Sequence, residues 1–131
     1  MIVVDASAMT ELLLQTKLGS KVEAMLLHGE DTLHAPQLLD VEVLQALRRF
    51  VRKGDVGAER AREATEDLAL MGVIRHSHAE LIKRIWELRE NLTAYDAAYV
   101  ALAEALDATL VTCDRPLAAA PGHAARVELC A

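Results

Sequence analysis

The chain has 131 residues, 53% of them hydrophobic and 26% charged, a balance that suits one globular domain and excludes a disordered chain. Twenty acidic residues against 14 basic ones give a net charge of −6, which excludes a protein that holds nucleic acid or an anionic membrane by general phosphate neutralisation. Aromatic residues are only 3% of the chain, too few for an array on which bases stack, so the core is expected to be aliphatic.

Ile2-Val3-Val4 is a short β-branched run that predicts a strand ended by Asp5, with a helix following over Ala8 to Leu14. Gly19-Ser20 predicts a break before a second helix, Lys21 to Leu27, closed by His28 and Gly29. Residues 32–35 read as a strand before Pro36. From Gln37 to Lys53 the apolar residues Leu39, Val43, Leu47 and Phe50 recur every three or four positions, an amphipathic helix for which Gly54 is the C-terminal stop. A further helix over Val56 to Met71 leads through Gly72 to a short buried strand at Val73-Ile74. Ala79 to Glu90 and Thr93 to Leu106 read as helices, and residues 109–113 as the next strand. Asp114-Arg115-Pro116 opens a short helix ending near Pro121-Gly122, and Val127 to Leu129 is the last strand. Short apolar strands without polar alternation, separated by helices, predict one α/β/α domain over residues 1–131, its parallel sheet covered on both faces.

Cys113 and Cys130 form neither a CxxC pair nor a ligand cluster with the five histidines, so free thiols in a reducing compartment are expected. No run approaches the roughly 18 apolar residues of a membrane span. The N-terminus has no basic leader, and Asp5 and Glu11 interrupt its apolar stretch. A soluble cytoplasmic protein is the expectation.

Ligands of an open parallel sheet bind beyond the carboxyl ends of its strands. Asp5 and Asp114 stand where two predicted strands stop, Asp96 lies in the first turn of the helix leading to the second of them, and Glu42 borders the apolar stripe of the Gln37–Lys53 helix. Each also has a purely structural reading. Asp5 and Asp114 suit helix N-caps, Asp96 follows Thr93 at capping-box spacing, and Glu42 suits a solvated helix face. The cations Arg48, Arg49, Arg52, Lys53, Arg60 and Arg62 make residues 42–63 locally basic. They suit either guidance of phosphates, with Arg48, Arg49 and Arg52 as the contact candidates, or a solvated helical hairpin. His76 and His78 read as surface histidines rather than ligands, and Trp86, Tyr95 and Tyr99 as core or dimer contacts.

Four stretches together resemble the motif blocks of PIN domains: MIVVDAS (Met1 to Ser7), HAPQLLDVEVLQALRR (His34 to Arg49), NLTAYDAAYVALAE (Asn91 to Glu104) and LVTCDRPL (Leu110 to Leu117). In order and spacing they are most similar to the VapC ribonuclease toxins of type II toxin–antitoxin pairs. The resemblance implies a five-stranded parallel sheet of order 3-2-1-4-5. It implies that Asp5, Glu42, Asp96 and Asp114 are the catalytic, metal-holding carboxylates, with Thr112 and Ser7 as supporting hydroxyls. It further implies Mg²⁺ or Mn²⁺ as cofactor, RNA as substrate, a VapB-like antitoxin as inhibitor and a homodimer, with DNA bound only indirectly through the antitoxin. Hard oxygen ligands suit those cations, and no Ser–His–Asp or Cys–His nucleophile arrangement is evident, so hydrolysis of RNA by metal-activated water is the expected chemistry. The alternatives are a PIN fold retained only to bind RNA or protein, and an acidic-pocket phosphoacceptor domain of the receiver kind. The latter is disfavoured because a single acid follows the first strand and no lysine occurs after Lys83.

Overall fold

The computed structural model describes residues 1–131. Five strands, β1 (Ile2–Val4), β2 (Leu33–Pro36), β3 (Val73–His76), β4 (Thr109–Thr112) and β5 (Arg126–Leu129), form one parallel sheet in the order β3-β2-β1-β4-β5. The expected order therefore holds. Helices α1 (Ala6–Leu14) and α2 (Lys17–Leu26) connect β1 to β2, while α3 (Leu38–Lys53) and α4 (Ala58–Leu70) connect β2 to β3. A 3-10 turn (Ala79–Leu81), α5 (Ile82–Glu87) and α6 (Ala94–Leu106) lead to β4, and α7 (Arg115–Ala119) leads to β5. Because parallel crossovers are right-handed, reversing the direction of travel after β3 puts α5 and α6 on the opposite face from α1–α4. The result is a three-layer sandwich.

The core is aliphatic, as the composition requires. Val3, Val4, Leu110 and Val111 of the two central strands are buried on both faces of the sheet, and from Ala97 to Ala103 every residue of α6 is buried. A helix that is apolar all round belongs in the interior, and α6 packs along β1, β2 and β4.

Several predicted boundaries shift by one or two residues, and two helices change by more. The second helix begins at Lys17, one turn before the expected Lys21, with the Thr16 hydroxyl accepting a hydrogen bond from the Gly19 N–H at 2.9 Å. Gly19 is not a breaker but a contact point: a Cβ at this position would stand 2.1 Å from the Glu11 carbonyl oxygen of α1. Gly19→Ala is therefore expected to destabilise the protein by about 1–3 kcal/mol, because overpacking against backbone outweighs alanine's better helix propensity. The expected readout in urea unfolding is a lower midpoint at an unchanged slope. A midpoint at or above that of the parent protein would show that the two helices can separate at no cost. The expected helix over Ala79–Glu90 is instead a 3-10 turn followed by a helix ending at Glu87. Leu88 and Leu92 are both buried, so the chain folds into a tight turn between them before Thr93 caps α6.

Candidate active site

β1 and β4 are neighbours in register, with Val4 opposite Val111, although they are more than 100 residues apart in the chain. From β1 the chain first builds outward through β2 and β3, then returns to place β4 on the other side. The carboxyl ends of β1 and β4 thus flank the topological switch point, where an open α/β sheet leaves a crevice. Asp5 follows β1 and Asp114 lies two residues beyond β4. Asp96 stands in the first turn of α6, and Glu42 in the second turn of α3. All four line one cavity of about 480 Å³. The fold brings together every acid that the sequence singled out.

Capping and cavity lining do not exclude one another, because Asp5 and Asp114 each do both. Asp5, 5% exposed, accepts hydrogen bonds at Oδ1 from the Ala8 N–H at 3.0 Å and the Ser7 hydroxyl at 2.6 Å, and at Oδ2 from the Thr112 hydroxyl. Asp114 caps α7 by accepting from the Leu117 N–H at 3.3 Å. At α6 the Thr93 hydroxyl accepts from the Asp96 N–H at 3.1 Å, so Thr93 does the capping and the Asp96 side chain is left for the cavity. Ser7 and Thr112 also tie the strand ends together: the Cys113 N–H donates to Ser7 Oγ at 2.9 Å and the Asp114 N–H to Thr112 Oγ1 at 3.0 Å.

Burial and nearby negative charge raise the proton affinity of Asp5, Glu42 and Asp96. Asp5 is pushed up by burial, against the opposing pull of its Ser7, Thr112 and Ala8 hydrogen bonds, with a further rise from the charge of Asp114. Glu42 is raised by burial and by Asp5, while the Tyr99 hydrogen bond and the Arg49 charge act the other way. Asp96 is pushed up to about 6, by burial first and then by the charges of Asp114, Asp5 and Glu42. Negative charge is thus concentrated, with only the Arg49 charge opposing it, at Glu42. No three His, Cys, Asp or Glu side chains are gathered tightly enough to ligate one ion directly.

Tyr99 has a role that the sequence reading missed. It is buried, and its hydroxyl donates to Glu42 Oε1 at 2.7 Å, which fixes the Glu42 rotamer from the α6 side. The available signal was spacing, since Tyr99 lies three residues after Asp96 and so on the same helical face. Trp86 and Tyr95, grouped with Tyr99 as core or dimer contacts, are 67% and 64% exposed. Of the three RNA-contact candidates, only Arg49 lines the acidic cavity, together with Lys53. Arg48 and Arg52 line a separate groove between α3 and α4. His76 and His78 lie outside the cavity: His34 Nδ1 is 2.8 Å from His76 Nε2, and His78 Nε2 accepts from the Leu38 N–H at 3.1 Å. Cys113 lines the cavity as a free cysteine, and burial and its neighbour Cys130 push its thiol up to about 12. It is protonated at neutral pH and is no nucleophile. No helix is long and apolar enough to cross a membrane.

Residues 2–122 match the PIN domain family. The chain is 44% identical over 131 residues to Ribonuclease VapC1 of Mycobacterium tuberculosis, with 97% of this chain and 96% of that one covered. It is 45% identical over 114 residues to Ribonuclease VapC9 of the same organism, covering 87% and 86%, and 42% identical over 131 residues to its Ribonuclease VapC12, covering all of both. Among solved structures, the Pyrobaculum aerophilum protein PAE2754 superposes with a TM-score of 0.66 at 31% identity, over 90% of this chain and 77% of that one. Mycobacterium tuberculosis VapC20, described as a sarcin-ricin loop cleaving toxin, shares the fold with a TM-score of 0.69 at 16% identity, over 91% and 94%.

Proposed function

The chain belongs to the PIN-domain family, with VapC ribonucleases among its relatives, and from that premise we propose that it is a metal-dependent endoribonuclease toxin. In this reading it hydrolyses RNA phosphodiester bonds at the four-carboxylate cavity, acts as a homodimer and is silenced by a VapB-like antitoxin, with DNA reached only through the antitoxin. The observation that carries the reading is the convergence of Asp5, Glu42, Asp96 and Asp114 on one cavity at the switch point, with the proton affinity of Asp5, Glu42 and Asp96 raised there.

The donor set fits a hard divalent cation. It consists of carboxylates and hydroxyls, and no histidine lines the cavity. Mg²⁺ is a hard ion that takes carboxylate oxygens and keeps much of its water shell. Such an ion, when bound, supplies activation of water and polarisation of the phosphoryl group in hydrolysis.

The chain's own residues prepare the site. Ser7, Thr112 and the Ala8 amide hold Asp5 in one rotamer and favour its anionic form against burial. Tyr99 donates to Oε1 of Glu42, a residue that lines the cavity. Asp96, titrating about 6, is an anion at neutral pH that takes up a proton on mild acidification. With Asp5 and Asp96 as the most direct ligands, Glu42 and Asp114 complete the site or hold ordered waters.

The purified protein is expected to cut total cellular RNA into discrete products with Mg²⁺ or Mn²⁺, to stop on chelation, and to be inactive as Asp5→Ala. Intact RNA across metals and salts, from a folded sample free of antitoxin, would overturn the nuclease reading and favour a PIN fold kept for binding.

A further inference from the structure

Along α3 the cavity lining passes from acid to base, while Glu11 of α1 adds a further carboxylate to the lining residues. The lining residues of α3 are Glu42, Gln45, Ala46, Arg49, Phe50 and Lys53, a three-and-four spacing that makes one continuous stripe. At the helical rise per residue, Arg49 and Lys53 lie about 10 and 16 Å along the axis from Glu42. The stripe therefore leads from the carboxylates to two cations without leaving the cavity. Neither cation is in an ion pair, whereas Arg60, Arg62, Arg75, Arg84 and Arg126 all are. An exposed pair of uncompensated cations on the wall of a cavity with an anionic far end recognises an anion that extends past that end.

We propose that Arg49 and Lys53 form a subsite for a backbone phosphate of the RNA strand beyond the linkage being cleaved. This subsite rests on the ribonuclease reading and specifies how the strand is held. The carboxylate end takes the scissile linkage, and the cationic end takes a neighbouring phosphate and fixes the strand's direction across the cavity. Arg48 and Arg52 belong to the same helix and carry the same charge, but they line the α3–α4 groove and lie outside the subsite. The simpler explanation of basic residues here is that Arg52 and Lys53 offset the helix dipole in the last turn of α3. That explanation treats the two alike, whereas the subsite separates them.

The test compares two double variants in an Asp96→Asn background, where cleavage does not consume the probe. A labelled single-stranded oligoribonucleotide is titrated at several KCl concentrations with Mg²⁺ held constant. Each phosphate contact on a single strand adds roughly 0.7 to the salt slope of binding. Arg49→Gln with Lys53→Gln removes that one contact and is thus expected to lower the slope by about 0.7, while Arg48→Gln with Arg52→Gln leaves it unchanged. The charge-conserving pair Arg49→Lys with Lys53→Arg is expected to keep the parent slope. Equal losses from both Gln pairs, or an unmoved slope from Arg49→Gln with Lys53→Gln, would overturn the subsite while leaving the nuclease reading intact. No RNA binding by the Asp96→Asn parent would overturn the nuclease reading, and the subsite with it. Thermal melting of each variant separates a lost contact from a lost fold.

Discussion

Asp96→Asn is expected to abolish RNA cleavage and, in the absence of divalent cations, to make the protein more stable. Asp96 lies among Asp114, Asp5 and Glu42, and its folded-state pKa of about 6 stands above its ordinary value of 3.8. A carboxyl raised on folding binds its proton more tightly in the native state than in the unfolded one. Ionisation therefore costs stability, and that cost appears as pH rises from about 4 through about 6. Two pK units correspond to about 3 kcal/mol, and solvent screening of a half-buried group reduces this to about 1–2 kcal/mol. Asparagine has nearly the same shape and carries no charge. In chelator at pH 7.5 its unfolding midpoint should exceed that of the parent protein, and the gap should close toward pH 4, where the native aspartate is already protonated. Two results count against the argument: undiminished cleavage, or a stability difference that does not depend on pH.

The second large effect is stabilisation by the cation itself. A ligand that binds only the native state at a hundred times its dissociation constant adds about 2.7 kcal/mol. For a domain of this size that corresponds to roughly 8–12 °C in melting temperature. Mn²⁺ or Mg²⁺ is therefore expected to raise the melting temperature of the parent protein at pH 7.5, and to do so only weakly for Asp5→Ala and Asp96→Asn. Acidification through pH 6 should erode the shift, because the proton then competes for Asp96. The Gly19→Ala protein has an intact cavity and should keep the full shift from its lower starting point. Equal shifts in parent and carboxylate variants would place the ion elsewhere on the surface.

The strands were legible wherever the signal was local. Ile2-Val3-Val4 and Leu110-Val111 are apolar without alternation, and all but the partly exposed Ile2 are buried on both sides. Helix α3 was legible from its apolar period, together with its stop at Gly54, whose φ of 79° an L side chain rarely adopts. The errors came where a local signal competed with a long-range contact. Gly19 looks like a breaker until Glu11 is brought against it. The Ala79–Glu90 stretch looks continuously helical until Leu88 and Leu92 must both reach the core.

By itself, the sequence determined the layered α/β architecture, the identities of the four acids and their places at strand ends and helix starts, because periodicity, capping and turn chemistry act over a few residues. Only the tertiary structure decided that these carboxylates share one cavity. Their meeting depends on β1 and β4 pairing across more than 100 residues and on α3 and α6 converging from opposite faces of the sheet. The same is true of everything that follows from distance: the raised proton affinity of Asp96, the Tyr99 hydroxyl on Glu42, and the division of four neighbouring cations between a cavity and a separate groove. Electrostatic coupling falls with separation in space, and that separation is a property of the folded chain.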